Sequence, residues 1–333
     1  MNVLIIGLGS MGKRRLRLIY KHIRPDMIIG VDNLLERRVF CEEEYHIITY
    51  SNMNEAFKSY KFDCAFVCTS PLSHNIIISD CLKRKIHVFT ELNLVNDGYQ
   101  ENILLAKKNN IVLFLSSTAL YREESKFINQ EVKNSKKIVN YTYHIGQYLP
   151  DWHPWEEINN FFVSDIRTNG CREILAIELP WIIQMFGKVI NIMAMGSKVT
   201  DLDINYKDNY SILLEHENGS QGVLIVDIVS REAIRRFIAY GEELFIKWEG
   251  KPDTLFIKDL NTGDLIQKDL YNDIDKLDGY SSSIIENHYL DEIKQFIKAI
   301  EGKAGILYGF EDDIYTIELI DEIEKRVGNS GLE

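Results

Sequence analysis

Gly7, Gly9 and Gly12 stand at the spacing G-x-G-x-x-G directly after the apolar run Val3-Leu4-Ile5-Ile6. A β-branched run, this glycine pattern and the helix-compatible segment Lys13–His22 form a phosphate-cradling arrangement. Gly7 permits the tight turn, Gly9 lets the backbone approach a pyrophosphate, and Gly12 lets the helix pack closely on the strand. The helix N-terminus presents N–H groups and a positive dipole end, so Gly7, Gly9, Ser10, Met11 and Gly12 are the expected pyrophosphate-side residues. Glycines in a turn can mean only a turn, but here a suitably spaced acid accompanies them. Asp32 ends a second apolar run, Met27-Ile28-Ile29-Gly30-Val31. A carboxylate there accepts both ribose hydroxyls of NAD and repels a 2′-phosphate; the plainer role is a helix N-cap. Arg37 and Arg38 follow and would favour NADP, but NAD is the cofactor expected.

A second concentration of chemistry runs from Tyr141 to Glu156: Tyr-Thr-Tyr-His-Ile-Gly-Gln-Tyr-Leu-Pro-Asp-Trp-His-Pro-Trp-Glu. Aromatic faces stack on the C–H patches of a sugar, and Asp, Gln and His bind hydroxyls. Gln147, Asp151 and Trp152 are candidate substrate ligands; the alternative is an Asp-Trp-x-Pro turn packing two aromatics on a domain edge. Arg172 is suited to a substrate carboxylate or phosphate, or else to a local pair with Glu173 or Glu178. Tyr121 and Arg122 follow the last strand of the first region, near the expected cleft mouth.

The elements that would carry these groups fall into two patterns. Strands are expected at Val3–Ile6, Met27–Val31, Tyr45–Tyr50, Cys64–Cys68, Ile86–Glu91 and Ile111–Ser116, with helices over His74–Arg84 and Tyr99–Asn109. This βαβ rhythm predicts a doubly wound parallel Rossmann sheet. From about Tyr121 the pattern changes: a helix Arg122–Asn134, then strands Ile138–Gly146, Val189–Lys198, Tyr210–Glu217, Gly222–Ser230, Ala233–Tyr240 and Leu244–Glu249. Helices are expected over Ile174–Phe186, Ile284–Ile300 and Phe310–Arg326. The fold class is therefore α/β, with a Rossmann domain over 1–120. A C-terminal α+β domain over 121–333 carries an open, mostly antiparallel sheet, and its last helices have the option of packing back on the first domain. An open sheet needs cover on both faces, which predicts a homodimer or homotetramer through the uncovered face.

Composition bounds the rest. The 333 residues suggest two domains, and the formal net charge of −12 argues against nucleic acid or an anionic membrane as partner. No apolar run is long enough to span a bilayer, and the N-terminus enters a strand without a leader, so a cytoplasmic protein is expected. Cys41, Cys64, Cys68, Cys81 and Cys171 lack C-x-x-C spacing and read as reduced, packed thiols, with no metal site.

The arrangement resembles the Gfo/Idh/MocA oxidoreductases, over nearly the whole chain. Gly7–Gly12 match the first motif. Cys68-Thr69-Ser70-Pro71-Leu72-Ser73-His74 resembles the A-T-P-x-x-x-H loop, which implies that Thr69, Ser70, Pro71 and His74 lie beside the cofactor. Thr90-Glu91-Leu92-Asn93-Leu94 takes the place of the E-K-P-L motif, implying that Glu91 contacts the cofactor ribose or loop backbone. Gly170–Gly187 resembles the G-G-x-L-x-D-x-x-H-x-x-D helix and the turn after it, and Tyr289–Phe296 the Y-x-x-E-L-x-x-F helix. Two departures stand out: the family's catalytic lysine falls on Leu92, and its helix histidine on Ile177. Its proline and second aspartate fall on Asn93 and Pro180. Neither leucine nor isoleucine transfers a proton. His153 is the first replacement expected, with Glu178, raised by burial, and Tyr148 as the others. His144 points from a strand. Similarity of the Gly146–Glu156 stretch and of Gly170–Leu175 to a subgroup implies a substrate from bacterial surface-polysaccharide or sialic-acid-like sugar pathways. The expected activity is NAD(P)-dependent oxidation or reduction of a sugar or nucleotide-sugar. The alternatives are an epimerase or lyase using NAD without net redox, and a catalytically dead dinucleotide-binding sensor or assembly protein.

Overall fold

The computed structural model describes residues 1–152, 161–276 and 284–328. In chain order the principal elements begin β1 (Asn2–Ile6), α1 (Ser10–Leu18), β2 (Met27–Val31), α2 (Leu35–Tyr45), β3 (Ile48–Tyr50) and α3 (Met53–Ser59). Then come β4 (Cys64–Val67), α4 (His74–Lys83), β5 (His87–Thr90), α5 (Tyr99–Asn109), β6 (Leu113–Leu115) and α6 (Glu123–Asn134). They continue with β7 (Val139–Gly146), α7 (Gly170–Phe186), β8 (Val189–Ser197), β9 (Asn209–His216), β10 (Gln221–Asp227) and β11 (Ile234–Gly241). The last are β12 (Phe245–Trp248), β13 (Phe256–Lys258), β14 (Leu265–Gln267), α8 (Asn287–Ile300) and α9 (Phe310–Val327). They divide into two compact units. The first is Met1–Ser117 with Tyr289–Tyr315; the second is Thr118–His288 with the residues from Thr316 on.

The first unit is built on a parallel sheet of order β3-β2-β1-β4-β5-β6. Its strands are near-continuous apolar runs because both faces are covered: Val3, Leu4 and Ile5 of β1 and all of β4 are fully buried. The order reverses between β1 and β4, with Val3 paired to Ile28 on one side and to Cys64 on the other. The crevice beyond the carboxyl ends of these two strands is where such a sheet binds ligands. Phe66, Phe89 and Phe114 form a ladder across β4, β5 and β6, with ring centroids 4.9 and 5.1 Å apart. Phe296 of α8 closes it from above, 5.4–5.7 Å from each ring.

The second unit carries a sheet of order β14-β13-β12-β11-β7-β10-β9-β8, antiparallel except for the β7–β10 pair. Strict alternation along β7 sends Tyr141 and Tyr143 into the core and leaves Asn140, Thr142 and His144 half-buried. On the covered face, Tyr141 stacks on Phe186 of α7 at 4.5 Å, and Trp181 of α7 packs between Tyr143 and Phe237. The opposite face leaves Met193, Met195 and Leu213 exposed, at 62, 75 and 49% of full accessibility.

Local chemistry moves several expected boundaries. Tyr45 belongs to α2, not to a strand: His46 adopts a left-handed conformation (φ 53°) and β3 starts only at Ile48. Two helices, α2 and α3, escape the periodicity because each buries only one residue, Cys41 and Ala56. β10 stops at Asp227 rather than Ser230, because that carboxylate accepts the N–H groups of Val229 and Ser230 and turns the chain. The edge strands β13 and β14 are three residues each, too short to show a period, although the turn between them has Gly263 at φ 81°.

Candidate active site

In the first unit the glycine loop is dictated by steric necessity. Gly7 has φ 89°, and a Cβ there would lie 2.7 Å from the Cys68 carbonyl oxygen. A Cβ on Gly12 would lie 1.8 Å from the oxygen of Gly7. A Cβ on Gly9 would meet only the Arg37 guanidinium, at 3.4 Å, so this is the side on which the backbone is open to a ligand. Gly9 is also the N-cap of α1 and brings no side-chain acceptor to it, and a helix N-terminus favours an anion. Asp32 is 6% exposed and accepts from the N–H groups of Leu8 (2.7 Å) and Leu34 (2.9 Å). It thus orients the loop after β1 while keeping lone pairs for a ribose diol. Arg37 stands 3.7 Å from the same carboxylate, and Arg38 donates to the Asp32 carbonyl. The loop fits a dinucleotide: a turn that admits no Cβ at Gly7 or Gly12, an open backbone at Gly9, a helix N-terminus and an oriented acid converge on one strand end.

Thr69, Ser70 and Pro71 follow β4. Thr69 and Ser73 share a hydroxyl contact at 2.7 Å, and Ser73 donates to the Ser70 carbonyl. His74 is buried, with Nε2 2.9 Å from the Thr69 carbonyl and Nδ1 2.6 Å from the Asn93 side chain. Burial holds its pKa below the usual histidine range. His74 thus braces the loop between the Thr69 carbonyl and Asn93. Glu91 is likewise engaged within the protein. Its carboxylate is bound by wholly buried Arg15, at 2.6 Å to Nε, and Arg15 also binds Glu292 of α8 at 2.7 Å. Burial alone would lower the Arg15 pKa, but the two carboxylates outweigh it and raise it. Glu292 in turn accepts from Ser116 Oγ and Ser117 N. Leu92 is half-buried and offers no titratable group.

In the second unit, the stretch after β7 is tied to the tail of β10. Tyr148 N donates to Ser230 O at 2.7 Å and Leu149 N to Ile228 O at 3.0 Å. Trp152 Nε1 donates to the Gln147 carbonyl at 3.1 Å. The Trp152 ring also abuts the start of α7: a Cβ on Gly170 would be 3.5 Å from it. Gln147, Tyr148, Asp151 and Trp152 thus form one surface with the first turn of α7. His153 lies outside the described residues. Tyr121 does not join this surface; it is 7% exposed, buried in the short turn before α6.

Two expected site residues are spent on structure. Glu178, 1% exposed, accepts from Tyr143 OH at 2.6 Å and Trp181 Nε1 at 2.8 Å, and pairs with Arg235 at 2.6 Å. That is a strut between α7 and the sheet, with two donors on Oε2 and the Arg235 ion pair on Oε1. Arg172 is 4% exposed and pairs with Glu324 and, at 2.6 Å, Asp321, both on α9. Its guanidinium ties α7 to the C-terminal helix.

Two further groups stand out. Glu173, in the first turn of α7, has its Oε2 shut from solvent and, among the described residues, without a hydrogen-bond partner, and burial pushes its pKa up to about 8. The available signal was its place one helical turn before Ile177, on the same face. The second is the pair His144–Asp227, 2.7 Å apart on the sheet's uncovered face. Burial would raise Asp227, but bonds from His144, Val229 and Ser230 outweigh it and hold the carboxyl below the usual range. Among the described residues no cluster of His, Cys, Asp and Glu is arranged to hold a metal. Cys41, Cys64, Cys81 and Cys171 are buried free thiols, and Cys68 is half-buried. Among the described residues, no helix is long and apolar enough to cross a membrane.

Residues 1–116 match the family model of the Gfo/Idh/MocA proteins, an oxidoreductase family with an NAD-binding Rossmann fold. That match gives the class of the first unit: an NAD-binding Rossmann domain of the oxidoreductase type. Beyond the class, the chain is 24% identical over 339 aligned positions to the myo-inositol 2-dehydrogenase of Thermotoga maritima, covering 93% of this chain and 94% of the relative. Its fold is that of an oxidoreductase from Agrobacterium radiobacter solved with NAD+, L-tartaric acid and magnesium (TM-score 0.78, 14% identity, 99% of this chain and 96% of the other). The fold is shared with the UDP-N-acetylglucosamine 3-dehydrogenase of Acidithiobacillus ferrooxidans (TM-score 0.74, 14% identity, 98% and 97%).

Proposed function

We propose that this oxidoreductase moves a hydride between NAD and a hydroxyl-bearing carbon of a sugar or nucleotide-sugar, and that Glu173 carries the proton. The observation behind the second half is the carboxyl of Glu173, whose Oε2 is shut from solvent and, among the described residues, lacks a hydrogen-bond partner, and whose pKa burial raises to about 8. A general acid–base group works best with a pKa near the operating pH, and burial supplies that shift here. NAD, which the Gly7–Gly12 loop and Asp32 would hold, would supply the hydride acceptor for oxidation or, reduced, the hydride donor. The Glu173 carboxylate takes the hydroxyl proton as the C–O bond becomes a carbonyl; in reduction, protonated Glu173 returns it. Gln147, Asp151 and Trp152 orient the ring by hydrogen bonds and stacking. The sugar class is supported by the aromatic and polar surface after β7 and by the sugar-type substrates in the names of the relatives. A role in bacterial surface-glycan biosynthesis, in the cytoplasm, rests on the resemblance of Gly146–Glu156 and Gly170–Leu175. NAD rather than NADP is proposed from the Asp32 carboxylate.

The test is turnover with NAD across cyclitols, free sugars and UDP-sugars, followed at 340 nm. Glu173→Gln should lower kcat by about 10²–10⁴, and the oxidative rate of the unchanged protein should rise with pH through about 8. Unchanged kcat in Glu173→Gln, with loss in His153→Ala, would return the proton to His153. The exposed Met193, Met195 and Leu213 also support a second copy of the chain on the uncovered sheet face. Met195→Lys with Leu213→Asp should lower the mass measured by light scattering.

A further inference from the structure

Three arginines border the candidate substrate surface on the second unit, and they differ in what they face. Arg172 is bound by Glu324 and Asp321, and Arg235 by Glu178. Arg231 stacks instead on the Tyr148 ring, its guanidinium carbon 4.0 Å from the centroid, and among the described residues it has no carboxylate partner. Its backbone is fixed as well. Asp227 accepts from Ser230 N and Ser230 Oγ, and Ser230 O accepts from Tyr148 N, so Tyr148 and Arg231 sit on two paired segments. Stacking on an aromatic face orders a guanidinium while leaving its N–H edge available. An ordered guanidinium edge is suited to a carboxylate or phosphate, which it binds by paired, charge-assisted hydrogen bonds. In a chain of net charge −12, a cation held without a carboxylate at this position stands against the general field of the protein.

We propose that Arg231, presented on Tyr148, is a specificity residue that binds an anionic group of the substrate, a phosphate or a carboxylate. It rests on the substrate surface proposed above. It narrows the class to acidic sugars and phosphate-bearing sugars, against neutral sugars and cyclitols. Binding of UDP-N-acetylglucosamine, glucuronate and myo-inositol to the full chain loaded with NAD, followed by calorimetry, tests it without requiring turnover. UDP-N-acetylglucosamine or glucuronate should bind at least ten-fold tighter than myo-inositol, and which of the two binds separates phosphate from carboxylate. Arg231→Ala should remove that preference, Arg231→Lys should restore part of it, and Tyr148→Leu should weaken it with Arg231 present. The preference should also shrink as salt rises from low to physiological strength. Equal affinity of Arg231→Ala and the unchanged protein for both anions, or tighter binding of myo-inositol, would overturn it. Arg231 is exposed, so these variants fold. Loss of turnover in Glu173→Gln with intact anion binding concerns the proton step alone, so the two proposals fail separately.

Discussion

Replacing Glu173 by glutamine should stabilise the protein while it slows the reaction. The Glu173 carboxyl titrates at about 8 in the folded chain, against an ordinary value of 4.5. Between those values the folded state holds a proton that the unfolded state has released. Folding stability from this group is therefore fully present below about pH 4.5 and declines as pH rises, until it levels off above about 8. Each pH unit is worth 1.36 kcal/mol, so at pH 7 the wild-type side chain costs about 3 kcal/mol relative to its protonated form. Glutamine has the shape of the protonated acid and does not titrate. The difference in unfolding free energy between Glu173→Gln and wild type should be near zero at pH 4.5. It should grow to about 3 kcal/mol in favour of glutamine at pH 7 and flatten beyond about 8. Urea melts of both proteins at pH 4.5, 6, 7 and 8.5, read by tryptophan fluorescence and circular dichroism, measure it. A difference that does not vary with pH would mean an ordinary carboxyl and would remove the basis for giving Glu173 the proton.

Gly12→Ala should weaken NAD binding at least a hundred-fold by calorimetry, because its Cβ would sit 1.8 Å from the Gly7 carbonyl; Gly9→Ala, facing only a flexible arginine at 3.4 Å, should cost less. Glu178→Leu should lose about 3 kcal/mol or more in urea melts, since it strands the Tyr143 hydroxyl and the Trp181 N–H, while half-exposed Arg235 regains water. Arg15→Met should cost about 3–5 kcal/mol at neutral pH by leaving Glu91 and Glu292 buried together. Burial already raises Glu292, and without the arginine both acids should rise further. That loss should therefore shrink as pH falls and the two acids take up protons.

The legible parts of this molecule are those fixed by neighbours in sequence. Gly7, Gly9 and Gly12 answer to constraints within one turn, and the alternation of β7 reads directly as one buried and one open face. What the sequence could not disclose is which charges are already taken. Arg172, Glu173 and Glu178 lie within seven residues, and a local pairing among them is the natural expectation. In the fold, Arg172 turns to α9 and Glu178 to β11 and Trp181, with Asp321 and Glu324 some 150 positions away in the chain. Those distant partners leave Glu173, of the three, with an oxygen that has no hydrogen-bond partner among the described residues. The same holds in the first unit, where Glu91 is taken by Arg15 and His74 by Asn93. Competition among long-range ion pairs leaves no periodic trace, so which candidate charges are already paired is not legible from the sequence.

That pairing bears on Ile177, one helical turn beyond Glu173 on the same face of α7. A cation one turn from a carboxyl would stabilise the carboxylate and draw its pKa down. Ile177 supplies none, and burial pushes the Glu173 carboxyl up to about 8. An apolar neighbour and a raised carboxyl are thus consistent with each other. A carboxyl with a pKa near neutrality is suited both to accepting and to returning a proton. Keeping it costs about 3 kcal/mol at pH 7, a cost that glutamine at the same place would relieve, and a role in proton transfer is what would offset that cost.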